Sequence, residues 1–336
     1  MRMRVFIVAL GAMLLAAGMA QAITISTIPV GDPGNAADTR YPDTRDGISG
    51  FGAVAYTYNI GAYEVTAGQY TAFLNFVATT DTYALYNPEM ANTEYGSGIT
   101  RSGASGSYTY TVNSHFANRP VNYVCWGDAA RFANWLHNGQ PTGAQNEATT
   151  EDGAYYLNGA TSDAELLAVT RQASWKWAIT SEDEWYKAAY YKGGGTNAEY
   201  CDYPTGSNTP PGNDMADPSG NNANYNPGTG PYPIDSGKYT TLVGEFQNSA
   251  SPYGTFDQGG NVWEWNEALV YETYRGLRGG SFTSDANGGL LASNRHVGDT
   301  WGEDSTLGFR VSQVPEPAST ALLALGGLAV IRKRRP

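Results

Sequence analysis

Residues 257–265 read DQGGNVWEW, and Glu264 in this stretch has a tryptophan on either side, Trp263 and Trp265. A carboxylate enclosed by aromatic side chains must be paired with a cation, neutralised, or bound to a metal, because burying it alone is too costly. The two indoles read as core residues, each able to bury a large area while its N–H finds an acceptor. The glycines before them free the backbone, and hard oxygen ligands on such a turn suit Ca2+. A second polar group lies further on: His296 beside Arg295, followed by Asp299, Glu303 and Asp304. It can form an acid–base cluster in a cleft, or simply a solvated loop. The other histidines, His115 and His137, are far from His296 and from each other, which gives a three-histidine metal site little support. His137 closes a helical stretch, where it would meet the C-terminal dipole.

Only two cysteines are present, Cys125 and Cys201, and they read either as a disulfide or as two unrelated buried thiols. No Ser-His-Asp arrangement, phosphate-cradling glycine loop, CxxC pair or HExxH occurs, so no other enzyme class is indicated.

The elements that must position these residues are few. With 41 Gly, 17 Pro and 24 Tyr, the composition favours short strands and long loops over a helical bundle. Three helices stand out. In EVTAGQYTAFLNFVA, Thr66 caps, and Tyr70, Phe73, Leu74 and Val77 share one face. WGDAARFANWLHNG starts at Asp128 and stops at Asn138-Gly139, while TSEDEWYKAAYYKGGG pairs Ser181 with Glu184 as a capping box and terminates at Gly193. Between Tyr200 and Gly254 periodicity disappears, yet Tyr203, Tyr225, Tyr232 and Tyr239 recur among Asn and Asp residues. That pattern favours an ordered loop stapled by a cation over disorder.

Both ends read as addresses. Residues 1–22 have the basic start, apolar middle and Ala20-Gln21-Ala22 site of a signal peptide, so signal peptidase is expected to cut after Ala22. Residues 314–336 run from Pro315-Glu316-Pro317 through an apolar stretch to the basic Arg332–Arg335 cluster, which would hold the tail as a transient inner-membrane anchor during export. This end resembles the PEP-CTERM sorting signal, which implies processing by an exosortase and delivery to the cell envelope or outside. Without the two ends the net charge falls from −12 to −17, a surface that repels nucleic acid.

The series YEVTAGQYTAFLNF, RPVNYVCWGDAARFANWL, WAITSEDEWYKAAYY, YGTFDQGGNVWEWNE, LRGGSF and LGFRV resembles the formylglycine-generating enzyme family, the sulfatase-modifying-factor domain. The resemblance implies a single α+β domain at residues 54–313, behind a lead-in at 23–53, with a C-type lectin-like fold, little regular secondary structure and long ordered loops. It also implies a calcium held by Asp257, Glu264 and the carbonyls of Gly260 and Val262. A second calcium would be held by Asn224, Asp235 and the carbonyls of Tyr225 and Gly237, although an Asx turn fits that stretch as well. Family enzymes bind Cu(I) through two cysteines after the Arg-Gly-Gly-Ser turn and oxidise a substrate cysteine, and soft sulfur is the right ligand for that ion. Here Ser284 stands at the first position and the second falls within 287–289, where there is no thiol, so copper is not expected.

Two functions remain open from the sequence. One is a noncatalytic, calcium-stabilised binding or structural module whose cleft, with Tyr271, Tyr274, Arg295 and His296, takes a peptide or a saccharide. The other is an oxidoreductase of the formylglycine-generating type, or another oxidase, with a metal site of a different design. Arg310 in GFR reads as an ion-pair partner or a donor to loop carbonyls.

Overall fold

The computed structural model describes residues 22–230 and 232–315. The expected signal peptide and C-terminal sorting signal therefore lie almost wholly outside the described residues. Among those described, no helix is long and apolar enough to cross a membrane.

Four helices and twelve short strands alternate along the chain: β1 Thr27–Val30, β2 Tyr58–Gly61, α1 Ala67–Val77, β3 Ile99–Ser102, β4 Thr109–Val112, α2 Trp126–His137, α3 Asp163–Ala168, β5 Trp177–Ile179, α4 Glu182–Tyr190, β6 Tyr191–Gly193, β7 Glu199–Tyr200, β8 Trp263–Val270, β9 Tyr274–Arg278, β10 His296–Gly298, β11 Leu307–Phe309 and β12 Val311–Gln313. The architecture is mixed α+β. One antiparallel sheet has the order β1-β2-β12-β5; the other runs β10-β9-β8-β11, with β11 parallel to β8. β3–β4 and β6–β7 form separate pairs.

The helices follow local chemistry. Thr66 accepts from the Gln69 N–H while the Gln69 side chain accepts from Thr66 N–H, a reciprocal cap that starts α1. Tyr70, Phe73, Leu74 and Val77 are buried as the spacing requires. In α2 the cap is Cys125, with Asp128 three residues inside, so the helix begins earlier than Asp128 alone suggested. Ser181 and Glu184 cap α4, whose acidic first turn complements the helix dipole, but it ends at Tyr190 and the chain passes straight into β6 rather than continuing to Gly193.

Phe73 and Phe309 each meet Phe132 edge to face, with Trp135 tilted against Phe73, in the main core between α1, α2 and the sheets. The stretch 23–53 packs on the body of the protein. β1 pairs with β2, and Asn35, Asp38 and Asp43 are buried against the body of the protein. The 200–254 segment is also ordered, with Tyr203 and Tyr225 buried and Tyr239 stacked on Tyr95 at 4.8 Å. Asparagine side chains bind its backbone: Asn224 donates to Tyr239 O at 2.8 Å and Asn213 donates to Tyr225 O at 2.7 Å.

Candidate functional site

β11 belongs to one sheet and β12 to the other, and Arg310 is the residue at which the chain crosses between them. Its side chain is fully buried. Nε and Nη2 bind the two Glu264 carboxylate oxygens at 2.5 and 2.6 Å, while Nη1 and Nη2 reach Gly61 O and Phe256 O, both at 3.0 Å. Trp185 Nε1 adds a donor to Glu264 Oε2 at 2.7 Å. Alternation along β8 sends Glu264 to the face opposite Trp263 and Trp265, so its aromatic neighbour is Trp185 of α4 and not the two indoles beside it in sequence. Trp265 donates to Val124 O in the main core, and Trp263 packs on His296.

Two further carboxylates face this ion pair. Glu64, just before Val65 joins Phe309 by its N–H, is 2 % exposed, and neither of its oxygens has a hydrogen-bond partner. Burial, with Asp257 and Glu264 nearby, pushes its carboxyl well above the usual range. Asp257 accepts from Gly244 N–H at 2.5 Å, and burial pushes it up to about 6. Three acids thus surround a single arginine. Glu64 escaped the sequence reading; the available signal was an acid between Tyr63 and Val65 in a stretch that must pack on the sheet.

Of the four groups expected to hold the first calcium, Glu264 is saturated by Arg310 and Trp185. Asp257 accepts one backbone N–H, from Gly244, and the neighbouring Glu64 carboxylate has no hydrogen-bond partner. Gly260 is buried in the turn at φ +86°, where a Cβ would come within 2.1 Å of Asn224 O, so only glycine fits; Val262 is wholly buried beside it. The second expected set is differently occupied. Asp235 pairs with the buried Arg119, whose guanidinium supplies the positive charge there, and the Tyr225 carbonyl is taken by Asn213. Gly237 makes a left-handed turn at φ +72°, and Asp235 O accepts from Lys238 N–H. Asn224 Oδ1 alone is buried without a partner. This set does not fit a cation as well as an arginine fits it.

Residues 281–290, where copper thiols were sought, form a closed hydrogen-bonded turn. Ser284 Oγ accepts from Ser281 N–H at 3.1 Å, Ser284 N–H donates to Ser281 O at 3.0 Å, and Asp285 caps the wide helical turn Ala286–Leu290 through Gly288 N–H. A Cβ on Gly289 would lie 2.5 Å from Ser284 Cβ and 2.8 Å from its Oγ. Ser284 is thus in contact with Gly289, one of the three residues among which the second position was expected. The cysteines are elsewhere and unpaired: Cys125 caps α2, and Cys201, 1 % exposed, is next to the tyrosine cluster around Tyr200. The disulfide reading is therefore corrected, each thiol being held in its own packing environment.

The expected cleft is divided by strand alternation. Arg295 lies 5 % exposed in a lattice of acids, with Glu182 at 2.9 Å, Asp46 at 2.5 Å and Asp43 at 3.3 Å. It lines a cavity of about 600 Å3 with Arg40, Tyr41, Asp43, Arg45 and Phe51. Tyr271 adjoins this cavity, its N–H on Asp46 and its ring under the Arg45 guanidinium at 4.7 Å. His296, the next residue after Arg295, turns to the other side and packs on the Trp263 ring at 5.0 Å, and burial pushes its pKa down. Tyr274 starts β9 opposite Val270. No acid–base cluster forms around His296: Glu303 accepts from Asn87, and Asp304 caps Thr306 N–H. His137 Nδ1 accepts from Lys176 N–H at 3.1 Å, and burial and Lys176 push its pKa down, which weakens the expected interaction with the α2 dipole. His115 N–H binds Asn113 at the surface.

Comparison with known proteins gives two family matches. The sulfatase-modifying factor enzyme 1-like domain covers residues 39–314, and the PEP-CTERM protein-sorting motif covers 313–335. No curated protein matches the chain. Among solved structures, the fold is similar to that of CarF, with a TM-score of 0.53 at 18% identity over 87% of this chain and 99% of that one. It is similar as well to Treponema denticola variable protein 1, with a TM-score of 0.50 at 19% identity over 87% and 95% of the two chains. At such identities the likeness is one of fold alone.

Proposed function

Since the chain belongs to the sulfatase-modifying factor enzyme 1-like family and carries a PEP-CTERM sorting motif, we propose that it is an exported module of the cell envelope that binds a ligand and does not oxidise cysteine. The sorting motif marks the protein for exosortase processing; removal of residues 1–22 by signal peptidase belongs to the proposal. A C-type lectin-like description of the scaffold belongs to it too.

The observation that carries this reading is the contact between Ser284 and Gly289, in a chain whose only two thiols are buried at α2 and beside Tyr200. Copper(I) chemistry on a cysteine substrate needs soft sulfur ligands at the site. Here a hydroxyl and a bare Cα take their places, and the hydroxyl is bound within its own turn.

The same reading assigns a structural calcium to the acid cluster, with Glu64 and Asp257 as side-chain ligands. Its support is the unpartnered, buried Glu64 carboxylate beside Asp257 and Glu264. A hard divalent cation would supply the charge that Arg310 alone does not. The ligand cavity is the one lined by Arg40, Tyr41, Arg45 and Arg295, whose aromatic faces and charged groups suit a peptide or a saccharide.

The test is incubation of the protein with a cysteine peptide of the sulfatase type, Cu(I), oxygen and a thiol reductant, followed by mass spectrometry. The expected result is an unmodified cysteine beside a converting positive control. Formylglycine in the product would overturn the proposal and restore the oxidase reading.

A further inference from the structure

Among the described residues, eight acidic residues are more than nine-tenths buried, and six of them rest against an arginine. The exceptions are Glu64, in the cluster already described, and Asp128. Asp128 is 1 % exposed on the first turn of α2, and Arg131, the nearest arginine along that helix, is engaged bidentately by Glu151. Asp128 Oδ2 accepts from Cys125 N–H at 3.0 Å, and the only side chains that reach its carboxylate among the described residues are the Cys125 thiol and the Glu303 carboxyl, neither of which carries positive charge. A buried carboxylate so placed requires a proton or a cation from another source.

What faces it is a second acid and a thiol. The ligand atoms of Cys125, Asp128 and Glu303 all lie within 4.8 Å of one another. They are brought together by backbone pairing, since Trp126 N–H donates to Thr300 O and Tyr123 N–H donates to Asp304 O, which lays the 299–304 loop across the start of α2. Glu303 is steadied by Asn87, and it is partly exposed, so it gives the group a path to solvent.

The choice of cysteine as cap points the same way. Helix caps favour Ser, Thr, Asp or Asn, whose oxygens accept well from the N2 or N3 N–H. Here the acceptor is sulfur, at 3.4 Å from Asp128 N, which is a weak bond. A hydroxyl would cap better, whereas a thiol adds a soft ligand beside two hard ones. One sulfur and two carboxylates, with the partly exposed Glu303 on the solvent side, form the donor set of a borderline divalent ion.

We propose that Cys125, Asp128 and Glu303 bind a divalent transition-metal ion of the zinc class. Binding would release the thiol proton, give the buried Asp128 its missing positive partner and tie the 299–304 loop to α2. The site is separate from the acid cluster at Glu64 and from the Ser284 turn, and it involves neither oxygen chemistry nor the ligand cavity.

The test uses the full chain, stripped of metal and then saturated with Ca2+ so that the Glu64 region is not in question. Co2+ serves as a spectroscopic probe and Zn2+ as competitor. Wild type and Cys201→Ser should both show a sulfur-to-cobalt charge-transfer band that Zn2+ abolishes, and Zn2+ should raise their melting temperature. Cys125→Ser should lack the band, bind Zn2+ on the order of 100-fold more weakly, and gain no thermal stability from it. Because serine is the better cap, the metal-free Cys125→Ser protein should melt at or above metal-free wild type, which controls for folding. Glu303→Gln should keep a sulfur band with weakened affinity. Equal cobalt binding by wild type and Cys125→Ser, or no sulfur band in folded wild type, would overturn the assignment.

Discussion

The acid cluster around Arg310 and the turn at Ser281–Leu290 are neighbours, joined by Gly260 N–H to Gly279 O and by Phe282 N–H to Asn261 O at 2.9 Å each, yet they solve opposite problems. In the cluster, three carboxylates face one guanidinium, and Glu64 has no partner at all. In the turn, the side-chain hydroxyls of Ser281, Thr283 and Ser284 and the carboxylate of Asp285 bind one another or the local backbone. The difference shows which chemistry a scaffold can lose cheaply. Small neutral groups that bind within their own turn can be exchanged without stranding a partner, whereas a buried charge cannot be dropped without doing so.

The largest expected effect follows from removing the guanidinium. Arg310→Gln would leave Glu264 without its countercharge and Gly61 O and Phe256 O without donors, a loss of about 3–5 kcal/mol or more. Chemical denaturation should show the variant largely unfolded; a melting curve like wild type would mean that the cluster is not a stability element.

Smaller is the expected effect of the proposed calcium. Adding EGTA should lower the melting temperature of wild type, because a ligand bound only by the folded form stabilises it. Glu64→Gln should be insensitive to EGTA, and in EGTA it should melt higher than wild type, by about 2–4 °C for each kcal/mol of relieved repulsion. An EGTA-sensitive Glu64→Gln would move the cation to another site.

The turn should respond to volume and not to charge. Gly289→Ala forces its methyl against Ser284 and should cost about 1–3 kcal/mol, with no change in EGTA sensitivity. Thermal melts with and without chelator separate the two regions, and a shift in that sensitivity would show that they are coupled.

Much of the scaffold was legible because it obeys local rules. Thr66 with Gln69, Ser181 with Glu184, and the Tyr70–Val77 face follow from capping and periodicity. Within the site, Arg310 reads from sequence as an ion-pair or carbonyl-binding residue and does both, while Glu264 reads as a carboxylate in need of a partner; that each answers the other is a fact of the sheet crossing, 46 residues apart. Glu64 was illegible because nothing local marks an acid as inward-facing. The split between Arg295 and His296 likewise falls where the chain enters β10, a three-residue strand too short to be read from the sequence. The two cysteines carry no information on pairing, since only the fold decides how far apart they lie.

The most direct measurement is the metal content of the full chain purified without chelators and exposed to both Ca2+ and Cu(I) before desalting. The account predicts retained calcium and no copper beyond what Cys125 can hold, the same in Ser284→Ala as in wild type. Copper retained in stoichiometric amount, and lost in Ser284→Ala, would contradict it.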